Sequence, residues 1–194
     1  MSPFFAYLAR MKHILRWGLM RNARGENVQE HSMQVAWVAH ALAVIENRYF
    51  GGDYDAEHVM ALAAYHEAGE VFTGDLPTPI KYYNPDIRQA YQRVEQVAEQ
   101  RMLDMLPEAM RSDYDALIHQ DRAAPEHQLV KAADRICAYL KCVEEGQAGN
   151  REFDRARQEI AEDLAARPEK SIAYFMEHFV PSFSLSLDQL REQE

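Results

Sequence analysis

The chain has 194 residues, 47% of them hydrophobic, and a formal net charge of −10 from 21 basic and 31 acidic residues. That length and apolar content suit one domain with a sizeable core. The acidic balance excludes a protein that coats DNA or RNA, which needs a basic face, but leaves room for a small anionic substrate held by one metal ion and one arginine.

In chain order, residues 3–14 read as a short first helix, and "RWGLMRNARGEN" (16–27), with two glycines and two asparagines, reads as a loop. Asn27 followed by Glu30 has the spacing of a capping box, so a helix is expected from 28 to 49. Its stripe is His31, Val35, Val38, Leu42 and Ile45, one face at helical spacing. Asp55 can cap a second helix over 56–70, with Leu62, Tyr65, His66 and Gly69 on one face. "GDLPTPIKYYNP" (74–85) carries three prolines and is not expected to be regular helix. Helices follow over 86–105 and 108–120. Pro125 suits the first turn of a long helix over 125–147, whose stripe is Val130, Ala133, Asp134, Cys137 and Leu140. Two more cover 151–166 and 169–178, with Pro181 closing the last. No sustained period-2 run rich in β-branched residues appears, so the expected fold is all-α.

The two cysteines, Cys137 and Cys142, lie five apart on one helix and point in different directions. They are not expected to pair, which fits a reducing, cytoplasmic setting. The N-terminal stretch lacks a long apolar run and a small-residue cleavage site, so no signal peptide is expected. No apolar stretch reaches the ~18 residues of a membrane span.

His31, His66 and Asp134 each occupy a position that the helical period assigns to the core. Burying a lone polar group costs roughly 1–3 kcal/mol. Singly, each is most simply a satisfied core residue, with Asp134 pairing to Arg135 or Lys131. Jointly, three such residues on three helices call for one explanation, and a divalent metal supplies it by accepting imidazole and carboxylate lone pairs. Glu67, beside His66, is a fourth candidate ligand.

The order H…H-E…D resembles the H…HD…D signature of the HD-domain phosphohydrolases, carried here by "EHSMQVA" (30–36), "YHEAGE" (65–70) and "KAADRICAYLKC" (131–142). "RWGLMRNARGENVQEHS", "GDLPTPIKYYN" and "FVPSFSLSLD" narrow the likeness to the bacterial 5′-deoxynucleotidases of the YfbR type, from about residue 4 to 190. The resemblance implies one all-helical HD domain over 1–194 and a single divalent transition metal (Co, Mn, Fe, Ni or Zn) on His31, His66, Glu67 and Asp134. It implies a cytoplasmic homodimer that removes phosphate from deoxyribonucleoside 5′-monophosphates, with no nucleic-acid polymer and no membrane as partner. It implies Arg16 as the phosphate-orienting arginine and Trp17 as its neighbour in the substrate site. It places a substrate-contacting turn at Asp75, Leu76, Pro77 and Thr78, and makes Glu70 and Asp75 the acidic groups needed for activity.

Read without that likeness, Arg16 is a surface arginine in a loop, Glu70 a solvated helix end, and Asp75 part of a turn before Leu-Pro. The resembled pattern has aspartate where this chain has Glu67. The extra methylene moves the carboxylate by about 1.5 Å, whereas metal sites accept distance errors of only about 0.2 Å. Glu67 therefore either folds back to ligate or yields its place to water. Competing readings are an HD phosphohydrolase for nucleoside triphosphates or signalling nucleotides, and a nucleotide-binding protein with an incompetent metal site. A di-iron HD oxygenase needs further histidine ligands, and His40, His58, His119, His127 and His178 show no second-metal pattern.

Overall fold

The computed structural model describes residues 1–81 and 83–192, without the side chain of Thr78. Helix α1 (Phe4–Leu8) runs into a 3₁₀ turn, Ala9–His13, and a loop leads to α2 (Val28–Tyr49). Then come α3 (Ala56–Tyr65), the one-turn α4 (Glu70–Thr73) and α5 (Thr78–Lys81), α6 (Pro85–Asp104), α7 (Glu108–Ile118) and α8 (Pro125–Gln147). A 3₁₀ turn, Arg151–Phe153, opens α9 (Asp154–Ala166), and α10 (Lys170–His178), a 3₁₀ turn Val180–Ser184 and α11 (Leu187–Arg191) complete the chain. No β-strand occurs among the described residues; an isolated antiparallel bridge joins Leu15 to Asn27.

The long helices begin where their caps are. Asn27 Oδ1 accepts the Glu30 N–H at 2.9 Å, Asp55 Oδ1 that of His58 at 2.9 Å, and Asn84 Oδ1 that of Ile87 at 2.8 Å, each satisfying an N–H the helix leaves unpaired. Pro85 and Pro125 stand in first turns, where a missing N–H is harmless.

Helix α2 is the centre of the bundle, packed on one side by α3 and on another by α8. Val35, Leu42, Val59, Leu129, Ile136 and Leu140 are buried between them, and each such side chain contributes about 1.5–3 kcal/mol by leaving water. This three-helix contact places the inward faces of α2 and α8 and the end of α3 around one point. A second, smaller cluster of Phe4, Ala68, Met102, Leu103, Leu106 and Ile118 fastens α1, α6 and α7 against the segment after α3.

The structure corrects three expectations. The helix expected over 56–70 stops at Tyr65, and the next residues wind in i→i−3 turns: Ala68 N–H to Tyr65 carbonyl at 2.9 Å, Glu70 to Glu67 at 3.0 Å, Phe72 to Gly69 at 3.1 Å. Burial of Ala68 in the second cluster holds this tightened path. The proline-rich stretch contains one helical turn, α5, because Pro79 falls in its first turn, where proline is tolerated. Pro181 lies inside a 3₁₀ turn rather than closing α10, which ends at His178. The cysteines are free, as expected, and both are buried.

Candidate metal centre and active site

His31 projects from the first turns of α2 and is 1% exposed; His66 and Glu67 follow α3, and Asp134 lies midway along α8. One imidazole nitrogen or carboxylate oxygen from each of the four lies within 4.8 Å of all the others. His31 Nε2 is 3.0 Å from Asp134 Oδ1, and His66 Nε2 is 3.2 Å from Glu67 Oε1.

The proton inventory at His66 is decisive for what fits between these groups. Its Nδ1 is 2.6 Å from the Ala63 carbonyl, which can only accept, so Nδ1 carries the proton. The Nε2 lone pair then faces the site, buried and without a hydrogen-bond partner. A lone pair 3.2 Å from a carboxylate oxygen is repulsive unless a cation stands between them. A carbonyl behind the ring and a bare Nε2 in front is the arrangement of a metal-ligating histidine. At His31 the roles differ: Nε2 faces Asp134 Oδ1, and Nδ1 is the nitrogen buried without a partner. Burial and the Arg16 charge press the His31 imidazole down to about 4, so it is neutral at physiological pH and free to ligate. Two imidazoles and two carboxylates suit a divalent transition metal.

The carboxylates are set by what surrounds them. Burial alone would raise Asp134, but the His31 hydrogen bond and Lys131 outweigh it and hold the carboxyl well below its ordinary range. Burial would likewise raise Glu67; a proton on His66 Nε2, or a cation in that place, together with Lys131 reverses the sign. Glu70 goes the other way, raised by burial and then by Glu67. In a 3₁₀ turn residues three apart eclipse, so the tightened path puts Glu67 and Glu70 on one face. Burial also raises Asp75, against the opposing pull of Arg16 and the Trp17 backbone N–H.

Arg16 reaches the centre from the loop before α2. Its Nη2 is 3.9 Å from Asp134 Oδ1 and its Nη1 3.6 Å from Glu26 Oε2, with Nη1 buried and lacking a hydrogen bond. The charges of Asp134, Glu26, Glu67 and Asp75 outweigh burial and raise the guanidinium above its ordinary value. The Trp17 ring meets Phe153 edge-on at 5.3 Å, and its Nε1 donates to Glu26 Oε2 at 3.1 Å. What Trp17 turns toward Asp75 is its backbone N–H. Leu76 and Pro77 are half-buried between α4 and α5; Thr78 opens α5, and its side chain lies outside the described residues.

Lys131, expected as a partner of Asp134, and the unanticipated Gln120 and His127 complete the surroundings. A cleft beside the cluster is lined by His66, Glu67, Glu70, Tyr91, Gln120 and Lys131, among others; Arg16 and the 75–77 turn do not line it. Lys131 Nζ is 3.8 Å from Asp134 Oδ2, one turn earlier on α8. His127 Nδ1 meets Gln120 Oε1 at 3.0 Å, and Gln120 Nε2 donates to the Leu62 carbonyl at 2.8 Å. The i, i+3 spacing of Lys131 and Asp134 is a sequence signal for the first; nothing local marks the second.

An all-helical bundle with histidines and carboxylates converging from three helices is the fold of the HD-domain phosphohydrolases. An HD-domain phosphohydrolase from Listeria innocua superposes with a TM-score of 0.76 at 22% identity, covering 98% of this chain and 95% of that one. The cyanophage S-2L HD phosphohydrolase, solved bound to dA and one catalytic Zn²⁺ ion, superposes with a TM-score of 0.66 at 17% identity over 91% of this chain and 96% of that one. The chain belongs to the 5′-deoxynucleotidase YfbR-like family, whose sequence model matches residues 3–183. Among its relatives are the 5′-deoxynucleotidase of Shewanella oneidensis, 53% identical over 193 residues and 99% of both chains. That of Yersinia pestis (strain Pestoides F) is 54% identical over 191 residues, 98% of this chain and 97% of the other.

Proposed function

We propose that the chain is a metal-dependent 5′-deoxynucleotidase, hydrolysing the phosphate monoester of deoxyribonucleoside 5′-monophosphates. The observation that carries this reading is the convergence of His31, His66, Glu67 and Asp134 within 4.8 Å, with a buried guanidinium alongside, in a chain of this family. The two imidazoles and two carboxylates would hold one divalent transition metal; Zn²⁺ is the ion in the cyanophage phosphohydrolase of similar fold. Bound there, it supplies positive charge for the phosphoryl oxygens and lowers the pKa of water.

The chain's own groups do the rest. Arg16 grips phosphate oxygens through its planar fork; its Nη1, 3.6 Å from Glu26 Oε2, makes no hydrogen bond within the protein. Glu70, which burial and the Glu67 charge favour in the protonated form, would accept a proton from water once a cation at the cluster offsets the Glu67 charge, as the water oxygen attacks phosphorus. The P–O5′ bond breaks, its electron pair goes to the 5′ oxygen, and that oxygen takes a proton. The products are a deoxynucleoside and inorganic phosphate. Asp75, with the Trp17 backbone N–H and the Leu76–Pro77–Thr78 turn, packs against the sugar and rejects a 2′-hydroxyl by leaving it neither room nor partner. Glu67 serves as a ligand by folding its longer side chain back, a reading supported by its carboxylate oxygen lying within the four-atom cluster.

The domain is read as one HD unit over 1–194 and the assembly as a homodimer, for which the exposed apolar side chains Met33 and Trp37 on one face of α2 offer surface. A cytoplasmic setting is supported by the free cysteines; no described helix is long and apolar enough to cross a membrane. The test is phosphate release from dAMP, dTMP and AMP by protein supplied with Mn or Co. Release from the two deoxynucleotides with AMP spared is expected; AMP cleaved as fast as dAMP contradicts the sugar discrimination.

A further inference from the structure

The mechanism leaves one buried charged pair unused. Glu145 and Lys141, on the last turns of α8, are 1% and 3% exposed. Burying two charges this fully is costly unless their remaining hydrogen-bonding capacity is met, and here it is met by the loop that carries Arg16. Glu145 accepts the backbone N–H of Ala23 at 2.8 Å and of Arg24 at 3.3 Å, the Asn150 amide at 2.7 Å, and the Lys141 ammonium. Lys141 in turn donates to the Arg24 carbonyl. Asn150 Nδ2 also donates to the Arg21 carbonyl at 2.7 Å.

The loop tip is thus tied to α8, and the loop base to α2. There Arg16 N–H donates to the Glu26 carbonyl and Val28 N–H to that of Ile14, both at 2.9 Å. Between tip and base, Asn22 Nδ2 donates to the carbonyls of Trp17 and Met20 at 3.3 and 2.9 Å. Trp17 needs this support, because its φ of 59° is a left-handed conformation that a bulky side chain rarely adopts. The same twist turns the Trp17 N–H toward Asp75 and presents Arg16 to the metal cluster.

We propose that Glu145, through its pair with Lys141, is a positioning residue for the phosphate-binding arginine: it locks residues 21–24 so that Arg16 and the Trp17 N–H are held at the site. This rests on the 5′-deoxynucleotidase reading for its kinetic consequence, and on the loop geometry alone for its structural one.

The test is a double-mutant cycle on full-length, metal-loaded protein with dAMP as substrate. Glu145→Gln is expected to lower kcat/KM by about 10- to 100-fold, as a displaced positioning element does. On an Arg16→Ala background the same change is expected to cost less than about 2-fold, because there is no arginine left to position. Amide hydrogen exchange across 16–26 is expected to accelerate in Glu145→Gln while α2 and the middle of α8 stay protected. Where Glu145→Gln does not fold, Lys141→Met/Glu145→Leu, which removes both charges together, replaces it in every arm. Equal losses on both backgrounds, or unchanged exchange in the loop, overturn the proposal. If the unaltered chain releases no phosphate from any deoxynucleotide, the enzymatic reading fails, and the exchange arm alone decides the positioning role.

Discussion

His31 and Asp134 are 103 residues apart in the chain, yet His31 Nε2 and Asp134 Oδ1 are 3.0 Å apart at the centre of the bundle. The contact exists because α2 packs directly on α8, and it brings two donor atoms to the spacing of ligands sharing one ion. Replacing Asp134 by Asn keeps the volume and removes the charge. Metal affinity is expected to fall by at least about 100-fold, since ligands matter no less than the groups that orient them. Metal content per chain measured after gel filtration, beside far-UV circular dichroism, checks this: the ion is lost and the helices stay.

Arg16→Lys retains the charge but loses the planar fork. Because Arg16 is read as gripping the phosphoryl group rather than the metal, kcat/KM for dAMP is expected to drop about 10² to 10³-fold, the scale for removing one preorganised donor. Metal content should be unchanged. A parallel loss of metal places Arg16's effect in the ligand set instead.

The fold depends on the packing of α2. Leu42 is completely buried between α3 and α8, and Leu42→Ala is expected to cost about 2–5 kcal/mol through lost transfer energy and the cavity left behind. Urea unfolding of metal-free protein reads this directly, without the stabilisation that a bound ion adds.

The Glu145 carboxyl gives the stability an acid limb. Burial would raise it, but the Lys141 hydrogen bond, with those from Ala23, Asn150 and Arg24, holds it down to about 2, below its ordinary 4.5. A depressed acid stabilises the fold above its unfolded value and loses that contribution as pH falls through the folded one. The difference in unfolding free energy between the unaltered chain and Glu145→Gln should therefore be constant above pH ~5 and shrink by up to about 3 kcal/mol toward pH 2. Denaturant melts across that range measure it; a difference independent of pH contradicts the charged pair.

Legibility in the sequence followed how local each determinant is. The bounds of α2 and α8 could be read because an uninterrupted stripe begins at a cap, Asn27, or at a first-turn proline, Pro125. The polar intruders His31 and Asp134 stood out against those stripes. The tightened path through His66–Gly69 was not readable, because burial of Ala68 against Met102 and Leu106 decides it, and those partners are over 30 residues away. Lys141 and Glu145 have the i, i+4 spacing common to solvated pairs; what buries them is a loop arriving from more than 110 residues upstream, with no local trace. Trp17 was expected beside Arg16 in the substrate site, and its left-handed backbone has no signature without a glycine.

The most direct test of the central claim is metal reconstitution. Chelator-stripped protein is titrated with Co or Mn while phosphate release from dAMP is followed, with Glu67→Asp alongside. The account predicts no turnover in the stripped protein, a linear rise, and a break near one ion per chain for both forms, with AMP scarcely cleaved. Full activity in the stripped protein, or no ion retained while Glu67→Asp binds one, would contradict a metal centre built from His31, His66, Glu67 and Asp134.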